Sequence, residues 1–94
     1  MDKAAKLVIL KQDLQMLTTA NDDFLGTLLD LAAGAIQREG IKLIEDDTEC
    51  DMAQVQYAAY LFRKRAAADT TMPRFLRWQL NNLLFSQKAG GDWQ

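Results

Sequence analysis

The chain has 94 residues, 49% of them hydrophobic and 26% charged, with a net charge of −2, one cysteine and no histidine. That length fits a single domain over 1–94 with a small core, and the composition excludes a disordered chain. A lone cysteine excludes an intramolecular disulfide and fits a reducing compartment, while the acidic balance counts against a surface built to grip phosphates.

Punctuation is sparse, with one proline and five glycines, which favours helices over a many-stranded β fold. Leu7, Leu10, Leu14 and Leu17 recur at helical spacing and predict a first helix over about Ala4 to Leu17. Its apolar run Leu7 to Leu10 is far too short for a signal core or a membrane span, so synthesis and use in cytoplasm are expected. Asn21 suits an N-cap whose side chain accepts from the first turn. Asp22 and Asp23 come next, at the positive end of the helix dipole. A second helix is expected from Asp22 to Glu39, with a broad apolar band that includes Phe24, Leu28, Leu31 and Ile36. Gly26 and Gly34 inside it each cost roughly 1 kcal/mol against alanine, and close helix approach is the expected reason. Gly40 ends the helix.

Ile41 to Asp51 forms a connector with a dense acidic loop of Glu45, Asp46, Asp47, Glu49 and Asp51, in which Asp47 or Thr48 can cap the next helix. That third helix is expected from about Asp51 to Ala68, with stripes of Met52, Val55, Ala59 and Phe62 and of Tyr57, Tyr60 and Leu61. It closes in Arg63, Lys64 and Arg65, favourable at the negative dipole end. Pro73 suits the first position of a fourth helix to about Gln87. Leu76, Leu80, Leu83 and Leu84 give its inner face, with Phe75, Trp78 and Phe85 beside them. Residues 89–94 read as a flexible tail, leaving about 4–88 as ordered helices. The expected fold is all-α, a small four-helix bundle-like domain with short links and one acidic loop.

Catalytic chemistry finds little support. Without histidine the commonest general base and metal ligand is absent. Cys50 has no activating partner and sits beside carboxylates that raise a thiol pKa. The acidic loop lacks the regular carboxylate spacing, the glycine and the distal glutamate of a calcium site, so a solvated capping loop is the plainer reading. No glycine-rich phosphate loop occurs either. The chain is therefore read as no enzyme, with no catalytic, metal or cofactor-binding residue and no cofactor.

The basic cluster Arg63, Lys64, Arg65, Arg74 and Arg77 leaves three readings open. It is a solvated, dipole-complementing helix end, a phosphate-contacting patch, or a surface that meets the acidic loop of a neighbouring copy. A contact of the last kind is heterologous and closes into rings. It would set Glu45, Asp46, Asp47 and Glu49 against Arg63, Arg65, Arg74 and Arg77. Tyr60 and Trp93 are candidate partner-docking residues, since aromatics are common at interfaces.

Several stretches taken in order carry a resemblance: Leu10-Lys11-Gln12-Asp13-Leu14 with Asn21-Asp22-Asp23-Phe24-Leu25; Ala35-Ile36-Gln37-Arg38-Glu39-Gly40-Ile41; Val55 to Arg65; and Met72-Pro73-Arg74-Phe75-Leu76-Arg77 with Leu80 to Phe85. Over about Leu7 to Lys88 the chain resembles the head–tail connector, or adaptor, family of tailed bacteriophages, also linked with DNA packaging. The most distinctive words are the tyrosine-rich third helix ending in Arg-Lys-Arg and the Met-Pro-Arg start of the fourth. One departure is the short, strongly charged loop 45–51. The resemblance implies a structural virion protein of the neck, made in the host bacterium and placed at the head–tail junction. It implies a side-by-side ring, a homo-oligomer of about a dozen copies, bound to the portal protein. The ring would extend the DNA channel and dock the downstream stopper or tail-completion protein. Double-stranded DNA would pass without sequence recognition, and no membrane is involved. An acidic wall suits passage, because a basic one would hold the phosphates. The alternative reading is a small helical nucleic-acid-binding or regulatory module. The acidic balance and the absence of a clear basic recognition face count against it.

Overall fold

The structure, a computed structural model, describes residues 1–92. Among them the chain folds as four α-helices with no strand: α1 (Lys3–Asp13), α2 (Asp22–Arg38), α3 (Thr48–Ala66) and α4 (Arg74–Asp92). The predicted all-α, four-helix class is the observed one.

Asp2 caps α1, its carboxylate accepting from the Ala5 N–H at 2.8 Å. The helix ends at Asp13 and not at Leu17. Gln15 takes the left-handed conformation (φ 58°), the Gln15 N–H donates to Gln12 O at 3.2 Å and the Met16 N–H to Lys11 O at 2.9 Å. This is the paired hydrogen-bond pattern of a Schellman ending, with glutamine at the position glycine usually fills. Met16 turns back onto the core, and Leu17, expected on the apolar stripe, is 97% exposed.

Asn21 occupies the N-cap of α2, but its side chain makes no capping bond. Its backbone (φ −109°, ψ 11°) lies away from the extended conformation from which a cap side chain reaches the first turn. Lys11 on α1 stands 2.9 Å from Asp22 Oδ1 and ties the two helices here instead. Gly40 comes after α2 at φ +93°, a conformation that costs any residue with a Cβ. Asp47 caps α3 by accepting from the Glu49 N–H at 3.3 Å. The helix therefore starts three residues before the expected Asp51. At the other end of the chain α4 continues to Asp92, through residues expected to leave the helix after Gln87.

The core has two clusters with α3 between them. Leu10 of α1 and Leu25, Leu28, Leu29 and Ala32 of α2 pack on Val55, Ala58 and Ala59 of α3. Ile36, Ile41 and the α4 residues Leu76, Leu80 and Leu83 pack on Cys50 and Ala53. At about 100° per residue the two faces of α3 are roughly 150° apart. Thus α1 and α2 cover one side of α3 and α4 the nearly opposite side. The particle is flat, 47 × 30 × 18 Å, its thin dimension close to two helix diameters.

A polar tie crosses the first cluster. Gln54 donates to Leu29 O at 2.9 Å and accepts from Lys6 Nζ at 2.7 Å. Lys6 also stands 3.6 Å from the buried Asp51 carboxylate. Only one of the two mid-helix glycines meets a neighbouring helix. A Cβ at Gly26 would touch the flexible end of Lys3 on α1 at 3.4 Å, whereas one at Gly34 would meet only Arg38 of its own helix at 3.7 Å. The expectation of close packing therefore fails at Gly34 within a single chain.

Candidate functional site

The acidic block and only part of the basic block singled out in the sequence lie at opposite ends of α3, while Arg74 and Arg77 are in the first turn of α4. Asp46 and Asp47 precede it and Glu49 is in its first turn, while Arg63 and Arg65 are in its last. Thr48 and Arg65 are separated by about 25 Å at the helical rise of 1.5 Å per residue. Oppositely charged blocks this far apart are screened from each other in solution.

Several members of each block are engaged locally. Arg63 reaches Asp13 of α1 at 3.1 Å. Arg77 forms a two-pronged pair with Glu39, at 3.0 and 2.7 Å, and this hydrogen bond raises the guanidinium pKa further. Arg65 lies over the Phe24 ring at 4.6 Å from its centroid. Asp46, itself at φ 61°, accepts from the Met1 ammonium at 2.8 Å, which lowers its carboxyl pKa. Asp47 is committed to the cap. Among the described residues Glu45, Glu49, Arg65 and Arg74 take part in no ion pair.

Tyr60 is half-buried beside Tyr57, ring edge to ring face at 5.9 Å, and accepts from Lys64 Nζ at 3.2 Å. Trp93, the other candidate docking residue, lies outside the described residues. Cys50 is buried, its Sγ 3.1 Å from Asp47 Oδ2 and 3.6 Å from Lys42 O. Burial first, then the Asp47 carboxylate, raises the thiol pKa, which leaves it a poor nucleophile. Among the described residues no group of acidic, cysteine or histidine side chains is arranged to hold a metal ion. None of their helices is long and apolar enough to cross a membrane.

The feature that the sequence misplaced is on α4. Phe75, Trp78 and Phe85 are 60%, 61% and 67% exposed. They share an arc with Asn82, roughly opposite the buried arc of Leu76, Leu80 and Leu83 at 100° per residue. The helix is apolar on two opposed faces, and its own chain covers one. Beside the outer face a groove is lined by Met72, Trp78, Arg74, Arg77 and Asn81. An exposed aromatic stripe rimmed by polar groups is the usual signature of a protein–protein contact.

Comparison with family models, with curated proteins and with solved structures found no match to this chain.

Proposed function

We propose that this protein is a structural adaptor of the head–tail connector type, a ring-forming part of a phage neck and not an enzyme. In this reading it sits at the head–tail junction of the virion, binds the portal on one side and presents a surface to the next neck or tail protein on the other. The observation that supports it best is that Glu45 and Glu49 at one end of α3 and Arg65 at the other form no ion pair among the described residues, which leaves these unlike ends open to pairing with a neighbouring copy. Repeated pairing of unlike ends is a heterologous contact, and such contacts generate rings when the rotation closes. The exposed face of α4 supplies the apolar component that charge pairing alone lacks. The sequence resemblance supplies the biological setting.

Native mass spectrometry over a range of concentrations, with electron-microscope class averages of any large species, tests the reading. A closed ring of about a dozen copies, formed by one repeated heterologous contact, is the expected result. A compact two-fold dimer as the largest species would refute it.

A further inference from the structure

The surface that α4 needs can be read from its charge and direction. From Arg74 to Lys88 its charged residues are Arg74, Arg77 and Lys88, all basic. Two copies meeting α4 against α4 would therefore bring like charges together. The complementary partner is a face that is acidic, carries an exposed apolar side chain and points the other way across the particle.

The outer arc of α2 has these properties. Asp23, Thr27, Asp30, Leu31 and Gly34 fall on it, opposite the buried Leu25, Leu29 and Ala32 at about 100° per residue. Asp23, Thr27 and Asp30 are exposed and Leu31 is 54% exposed. Asp30 shares its charge with Lys3 of α1 at 2.9 Å, and Asp23 forms no ion pair among the described residues. Gly34, which no neighbouring element requires, leaves the backbone open to close approach in the middle of this arc. Because α2 and α4 cover nearly opposite sides of α3, their outer arcs face away from each other. A copy can then offer α4 to one neighbour and α2 to the other.

We infer that the aromatic outer face of α4 docks on the acidic outer face of α2 in a second copy of this chain. Trp78 and Phe85 lie along the Leu31–Gly34 segment, and Arg74 is brought near Asp23 and Asp30. The three α4 aromatics expose roughly 380 Å² between them, taking about 200 Å² for each ring side chain. That is near half of the roughly 800 Å² that a standard interface takes from each partner. The flanking Met72, Asn81 and Asn82 and the long basic side chains extend it. This inference rests on the ring reading and names the two surfaces that such a ring would join.

The test uses two variants of the full chain. Trp78→Ser with Phe85→Ser spoils the α4 face, and Asp30→Lys with Leu31→Ser spoils the α2 face. All four positions are exposed and Asp30 gives up only its surface pair with Lys3 at 2.9 Å, so circular dichroism should match the wild type and the melting temperature should fall only slightly. Each variant alone should remain monomeric in sedimentation velocity, with self-association weakened by about tenfold or more, as for loss of central interface residues. Mixed in equal amounts they should form a one-to-one dimer that grows no further, because each retains one intact and opposite face. Mixtures that stay monomeric, or variants that assemble like the wild type, overturn the inference. So does loss of assembly in Glu45→Lys with Glu49→Lys while the α2 variant still assembles, since the acidic turn would then be the acceptor. Wild-type rings that survive both α-face variants remove this docking but leave the connector reading standing. A wild-type chain that stays monomeric at every concentration removes both.

Discussion

Arg77 on α4 grips both carboxylate oxygens of Glu39, the residue that closes α2, at 3.0 and 2.7 Å. Paired N–H donors on a planar guanidinium fix orientation as well as distance. The pair therefore sets how α4 lies against the end of α2. Both side chains are partly exposed, so the expected loss for Arg77→Leu is about 1 kcal/mol, the upper range for pairs in contact with water. Arg77→Lys should lose nearly as much, because lysine cannot make the two-pronged contact. Urea denaturation of the two variants measures both values.

Asp51 has a different environment. It is buried and shares Lys6 with Gln54, which joins α3 to Leu29 of α2. Asp51→Ala should destabilise the fold by about 2–3 kcal/mol, since it leaves a half-buried ammonium without its carboxylate. Asp51→Ala combined with Lys6→Met should recover part of that loss. No recovery in the double variant would show that Asp51 acts through something other than Lys6.

Two glycines should respond in opposite directions. Gly34→Ala places its Cβ in ordinary contact with the flexible Arg38 side chain at 3.7 Å on a helical backbone, so it should raise stability by about 0.5–1 kcal/mol. Gly40→Ala must hold φ +93° with a Cβ and should lower stability by about 1 kcal/mol. Thermal melts of the two variants side by side make the comparison.

Alkaline pH should weaken the fold. Burial raises the Cys50 thiol above its ordinary value of 9.0, and burial together with the nearby Glu39 raises Tyr57 above 10.0. A group whose pKa is higher folded than unfolded contributes fully below the unfolded value and loses that contribution as pH rises through the folded one. Stability should therefore be flat in this respect up to about pH 9 and fall above it. Cys50→Ala should remove the lower-pH part of that fall. In the folded wild type the thiol should react with a disulfide reagent far more slowly than in urea.

Much of this architecture is legible in the sequence, because local chemistry and global packing agree. Gly40 ends α2, the aspartates lie at its positive end, and the leucines of α4 at 76, 80 and 83 form its buried face. The misses have physical causes. Gln15 ends α1 by adopting a conformation for which nothing in its residue type gives warning. Asp47 captures the start of α3 before the apolar pattern begins. Periodicity finds the two apolar arcs of α4 but cannot tell which one meets the chain itself, so Phe75, Trp78 and Phe85 read as companions of the core. The charged blocks are visible as blocks. Only the fold shows that Arg63 and Arg77 already have carboxylates of their own.

The division of the core by α3 also bears on how the molecule opens. α4 packs in the second cluster alone, with the Arg77–Glu39 pair and the Gln87–Lys42 contacts as its polar ties. It can lift away while Leu10, Leu25, Leu29 and Val55 stay packed, which makes it a candidate subglobal unfolding unit. Native-state amide exchange should show α4 protons exchanging at a lower opening free energy than those at the centre of α2. Whatever covers the outer side of α4 binds only the closed form and so raises that opening energy by mass action. Protection of the α4 amides is thus a local gauge of how fully the chain is assembled.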